Sequence, residues 1–244
     1  MTYFDGFVIA VPTANKDKFL QHASTIDPMF IEQGATRVVE CWADDVTRGK
    51  VTDFYRAVDA KDDESIAFSW IEWPDKAARD KGMAAMMNPE QPDPRADPAT
   101  NPAPFDGKRM IFGGFEAIVS EGEHATLPYV QGFMVPVPTT KREAYAKMAA
   151  EAWDMFADHR ALAVLEAWGD DVPHGTVTDF YRGVQATDEE SVVFSYMIWP
   201  SKEVCQDAAR KMQNEMQMPE GFEMPFDGKR MVWGGFVPLL VLGG

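Results

Sequence analysis

Apolar residues recur along the chain with two different periods, and the points where the period changes lay out the elements. Residues Tyr3 to Pro12 and Tyr129 to Pro138 read as strands. After each, apolar positions fall every three or four residues: Phe19, Ala23, Ile26 and Phe30 in one stretch, Tyr145, Met148, Ala149, Ala152 and Phe156 in the other. That is the spacing of a single helix face. Pro28 should kink or end the first helix, with Gly34 as its C-cap, and Thr140-x-x-Glu143 has the form of a capping box. Further strands are expected over about 35–44, 65–73 and 109–119. A second helix is expected to begin near Pro74-Asp75 and, later, near Pro200-Ser201. The order βαββαβ is the ferredoxin-like plan.

The pattern occurs twice. Tyr3-x-x-Gly6-Phe7 returns as Tyr129-x-x-Gly132-Phe133, and the same shift maps Glu40-x-Trp42-x-Asp44-Asp45 onto Glu166-x-Trp168-x-Asp170-Asp171. Val51 to Arg56 returns as Val177 to Arg182, and Phe105-Asp106-Gly107-Lys108-Arg109 returns from Phe226 after a shorter connection. A match this long, with one gap, implies duplication. Residues 1–119 form the first copy, 120–128 a polar linker and 129–244 the second copy.

The third strand of each copy dictates how the copies meet. Ile66, Phe68 and Trp70 lie on one face and Ala67, Ile71 and Trp73 on the other, so neither face suits water. Val192, Phe194, Tyr196 and Ile198 against Val193, Met197 and Trp199 repeat the pattern. Helices cover one face; the sheet of the other copy is the simplest cover for the second. The expected fold is therefore α+β, with two ferredoxin-like repeats closed on each other as an intramolecular barrel, either a pseudo-twofold monomer or a weak homodimer.

Composition narrows the function classes. A net charge of −16 without a basic stripe excludes nucleic acid and anionic membranes as expected partners. No apolar run is long enough to span a bilayer, and the N-terminus has no basic region before its apolar stretch, so the cytoplasm is the expected location. Cys41 and Cys205 make no disulfide framework. The carboxylates Asp44, Asp45, Asp62, Asp63 and Glu64 lack calcium-loop spacing, and no histidine repeats between the copies. Neither a metal nor a cofactor is expected.

The combination E-x-W-x-D-D, G-x-V-T-D-F-Y-R, F-S-x-x-x-W-P and P-F-D-G-K-R-M-x-x-G-G-F resembles the YbaA-like bacterial family of unknown function, over nearly all of both copies. The resemblance implies the dimeric α+β barrel superfamily, whose single-domain members pair two chains. That superfamily includes cofactor-free monooxygenases, haem enzymes, lactone isomerases and ligand-sensing domains, so the resemblance points to a fold more than to a reaction.

Candidate chemistry concentrates in the long connection between the second and third strands. Asp45, Asp53, Tyr55 and Arg56, with Asp171, Asp179, Tyr181 and Arg182, are positioned to converge over the barrel mouth. There the arginines would clamp an anion, and an Asp or Tyr beside Trp42 or Trp168 would move a proton. The competing reading is a structural staple, with each Arg pairing a local Asp. Lys108 and Arg109, with Lys229 and Arg230, offer cations at a turn for an anionic ligand or for local pairing. Trp42, Trp73, Trp168 and Trp199 and the fifteen methionines serve either a core or a pocket for a flat apolar ligand, with Trp42 and Trp168 the candidate ligand contacts. The Pro-rich stretch 89–104 is expected to be a solvated excursion or a lid. Three functions remain open: a binder of a small anionic or aromatic molecule, a cofactor-free monooxygenase- or isomerase-like enzyme, and a structural or stress-related protein.

Overall fold

The computed structural model describes residues 1–123, 126–215 and 223–244. The described residues form eight strands and seven helices: β1 (Tyr3–Pro12), α1 (Lys16–Ile26), α2 (Pro28–Glu32), β2 (Arg37–Asp45), α3 (Phe54–Ala57), β3 (Glu64–Trp73), α4 (Lys76–Met86) and β4 (Ile111–Gly122), then β5 (Tyr129–Pro138), α5 (Arg142–Asp158), β6 (Ala163–Asp171), α6 (Phe180–Gly183), β7 (Glu190–Trp199), α7 (Lys202–Glu215) and β8 (Val232–Gly243). The strands close into one barrel in the order β1-β3-β2-β8-β5-β7-β6-β4. Each repeat contributes a ferredoxin-like four-stranded sheet, and the two seams, β2 with β8 and β4 with β6, pair strands of different repeats antiparallel.

The two-faced strands end up where their pattern requires. Ile66, Phe68 and Trp70 point into the barrel with Val192, Phe194, Tyr196 and Ile198, whereas Ala67, Ile71 and Trp73 lie in clusters outside it. Aromatic rings fill the interior. Gly6 and Gly132 explain the Tyr-x-x-Gly-Phe motif, because a Cβ at Gly6 would sit 2.8 Å from the Phe194 ring and one at Gly132 2.8 Å from the Phe68 ring.

Pro28 does break the first helix: α1 ends at Ile26, α2 starts at Pro28, and Gly34 follows at φ +103°. The second repeat lacks this proline, and α5 runs unbroken for 17 residues. The capping box expected at Thr140 does not form. A tight turn over Thr139–Lys141 leads straight into α5, whose N-cap residue Lys141 makes no side-chain cap. β4 also runs three residues into the expected linker, since its far end pairs with β6 out to Gly122. The Pro-rich stretch is solvated, with no buried residue over 89–104, and is also pinned to the first repeat. Arg95 holds Glu32 at 2.6 Å, Asn15 Nδ2 donates to the Pro104 carbonyl at 3.0 Å, and His22 Nδ1 lies 2.9 Å from Asn101 Oδ1. No helix among the described residues is long and apolar enough to cross a membrane.

Candidate functional site

The long connections between the second and third strands do meet, but they meet as a plug. Asp53 caps α3 by accepting from the Arg56 amide at 2.9 Å, and Asp179 caps α6 from the Arg182 amide at 2.8 Å. Thr52 Oγ1 donates to the Gly183 carbonyl and Thr178 Oγ1 to the Ala57 carbonyl, both at 2.6 Å, so each loop is tied to its copy. Phe54 and Phe180 then drive fully buried rings into the barrel core.

Around this plug the candidate residues take local partners. Arg56 and Arg182 donate to the carbonyls of Gly49 and Gly175, with about half of each side chain exposed. Tyr55 lies under the Arg48 guanidinium, and Tyr181 stacks near His174. The acidic pairs after the strands reach across the seam between repeats. Asp171 accepts from Arg79 and Asp45 from Gln206, each at 2.8 Å, while Asp170 accepts from Tyr3 at 2.9 Å. Arg109 grips Glu64 with two bonds of 2.6 Å and Arg230 grips Glu190 with two of 2.7 Å, which fastens the turn before β4 or β8 to the start of β3 or β7. Lys108 and Lys229 stand exposed beside them. Trp42 and Trp168 are buried on the outer sheet face under α1 and α5, each with a cation over its ring, Lys16 and Arg142 respectively. These contacts are those of a staple, and they leave no vacant cation facing an enclosed cavity at this end of the barrel among the described residues.

Two apolar cavities lie elsewhere, between helices and the outer face of the sheet. In the second repeat a cavity of about 440 Å³ is walled by the apolar face of α5 and by α7. Met148, Met155, Met197, Met212, Phe133 and Trp199 dominate it. The helix positions whose spacing marked a core-facing stripe, Tyr145 through Phe156, are its ceiling.

One polar cluster stands in this apolar wall. Glu166 on β6 pairs across the strands with Ser195 on β7 and accepts from the Tyr145 hydroxyl at 2.7 Å. Burial pushes the Glu166 carboxyl up to about 7, with the bonds from Tyr145 and Ser195 acting the other way. Burial, and then the Glu166 charge, hold the Tyr145 phenol well above its usual range. Cys205 also lines the cavity, but burial and the Asp45 charge raise its thiol to about 12, so it is a poor nucleophile. The wall contains no Lys or Arg among the described residues.

The first repeat has a counterpart of about 210 Å³. Glu40 occupies the place of Glu166 and accepts from Ser69, but Phe19 replaces Tyr145, and Asp27 lines the wall. Sequence reasoning passed over Glu40, Glu166, Ser69 and Ser195. The signal was present: a glutamate in a strand with apolar neighbours on both sides, matched in register by the serine of F-S-x-x-x-W-P, in both copies.

The family model for DUF1428, described as a protein of unknown function, matches residues 2–107 and 128–228. The chain belongs to this DUF1428 family. Its two matched segments fall on the two repeats. The uncharacterized protein YbaA of Escherichia coli K12 is 52% identical over 121 residues, which is all of YbaA and 50% of this chain. YbaA therefore corresponds to one repeat. Among solved structures, a putative monooxygenase from Lactobacillus acidophilus aligns over 99% of this chain and 96% of its own, at TM-score 0.55 and 10% identity. An anthrone oxidase-like protein aligns over 99% and 92%, at TM-score 0.56 and 11% identity. These likenesses show a shared barrel fold and nothing finer.

Proposed function

We propose that the second repeat binds a flat, largely apolar molecule, such as a fused-ring phenol, in the cavity between α5, α7 and the sheet. The observation that carries this reading is a roughly 440 Å³ apolar cavity with one convergent polar cluster, Tyr145, Glu166 and Ser195, in its wall. Methionines suit such a ligand, since their flexible thioethers adapt to aromatic faces. Of the two ligand types open from sequence, the cation-free wall favours the aromatic over the anionic. A phenol hydroxyl would donate to Glu166, whose raised carboxyl is ionised in part near neutrality.

That same carboxyl supports a second reading, a cofactor-free oxygenase- or isomerase-like enzyme in which Glu166 takes a proton from the bound ring system. The names of the structural neighbours agree with this reading without carrying it.

Thermal-shift and calorimetric titration with 1-naphthol tests the binding reading. Wild type should bind and Ala149→Trp, which fills the cavity, should not, whereas Arg56→Ala plus Arg182→Ala should bind as wild type. Loss of binding in the double-arginine variant with retention in Ala149→Trp would move the site back to the barrel-end loops. Consumption of 1-naphthol under air, abolished by Glu166→Gln, would separate the enzyme from the binder.

A further inference from the structure

The smaller cavity in the first repeat has a chemistry that its copy lacks. Asp27 sits at the break between α1 and α2, immediately before Pro28, where an aspartate ordinarily caps the following helix. It does not do so. Its side chain makes no cap, it is 5% exposed, and Oδ2 has no hydrogen-bond partner among the described residues. Asp27 lines the cavity together with Glu40, which is also buried and is held by Ser69. The corresponding position in the second repeat is Trp153, so this second acid belongs to one half alone.

Two buried carboxyl groups in an apolar cavity are costly unless something compensates their charge. No Lys or Arg lines this wall among the described residues; its titratable groups are His22, Asp27 and Glu40. Burial, then the charge of Glu40, push the Asp27 carboxyl well above its ordinary range, and burial pushes Glu40 up as well. Apart from Ser69 the rest of the wall is apolar, and Phe7, Phe19, Phe30 and Phe105 are among it. Phe105 is delivered by the end of the Pro-rich stretch, which is pinned across α1 and α2 by Arg95, Asn101 and Pro104.

We propose that this cavity is a site for a small organic amine, bound as its ammonium ion by Asp27 and Glu40 with its apolar part among the phenylalanine rings. Ring faces attract a cation and a carboxylate neutralises it, a combination that a neutral ligand does not exploit. A metal ion is the poorer occupant. Calcium and magnesium need six or more oxygen ligands, and no group of three or more His, Cys, Asp or Glu side chains able to hold a metal occurs among the described residues. The volume of about 210 Å³ suits a ligand no larger than a single ring with a short aminoalkyl arm. This inference is independent of the phenol site, which lies in the other repeat.

The test compares 2-phenylethylamine with its neutral isostere 2-phenylethanol by calorimetric titration at pH 8. The variants are Asp27→Asn plus Glu40→Gln, which removes the charge at constant shape, and Glu166→Gln as a control. Wild type and Glu166→Gln should bind the amine at least about tenfold more tightly than the alcohol, the size of a charge-assisted hydrogen bond. The double variant should lose that preference. Equal binding of amine and alcohol by wild type, an amine preference that survives in the double variant, or no amine binding at millimolar ligand would each overturn the proposal. The comparison of the two ligands on wild type stands even if the double variant does not fold.

Discussion

The rings of Phe68 and Phe194, one from each repeat, stack face to face at 4.7 Å with their planes 6° apart. Phe68 also stacks on Phe236 at 5.1 Å, and Phe194 packs against Phe115 at 5.4 Å, so the pair ties the sheets of both repeats through the middle of the barrel. This contact joins the two copies through the core and fills the middle of the barrel with aromatic rings.

Gly6 and Gly132 allow that stack. Gly6→Ala should lower unfolding free energy by about 1–3 kcal/mol, the usual cost of overpacking a filled core, in a denaturant titration. Gly107→Ala should cost little, because nothing lies within 4 Å of a Cβ built there. Equal effects of the two substitutions would mean the barrel interior is looser than its packing implies.

The fastening pairs should show in acid. The two bonds from Arg230, opposed by burial, hold the Glu190 carboxyl at about 2, below its ordinary 4.5. A carboxyl lowered on folding contributes stability that is complete above its unfolded value and is lost as pH falls through the folded one. Wild type should therefore lose stability as pH drops from about 4.5 toward 2, and Arg230→Met should flatten that limb while lowering stability at pH 7. An acid limb unchanged in the variant would show that the pair contributes little.

Glu166 works in the opposite direction. Its carboxyl is raised to about 7 by burial, so the folded state holds a proton that the unfolded state has released. That contribution is present below about 4.5 and disappears as pH rises to 7. Glu166→Gln should remove this decline, of up to about 1.4 kcal/mol per pH unit, and should be the more stable protein relative to wild type at pH 8 than at pH 4. Urea titrations across that range provide the check.

The legible part of the molecule was the part written in periodicity. The two-faced third strands predict a closed barrel because Phe68 and Ala67 both need cover, and the repeat supplies the cover. Pro28 and Gly34 mark a helix break by local rules alone. The cavities were not legible, because they arise where α1 and α2 in one repeat, and α5 and α7 in the other, leave space over the sheet. Nothing in the spacing of Tyr145, Met148 and Phe156 separates a packed stripe from a cavity wall. Glu166 becomes a polar cluster only when its partners Tyr145 and Ser195 are brought to it from two other elements. Asp53 and Arg56 recur in both copies, and a cap and a loop fastening recur for the same reason a site would.

Entry of a small molecule beneath the helices of the second repeat, and not into the barrel or its loops, is what the proposed site requires. Methionine-methyl NMR during a 1-naphthol titration tests it directly. Met148, Met155, Met197 and Met212 line the cavity, whereas Met134 is fully buried in the barrel core. Binding at the proposed site gives saturable shifts at those four methyls with Met134 unmoved; a shift at Met134 with the four unchanged would place the ligand in the barrel instead.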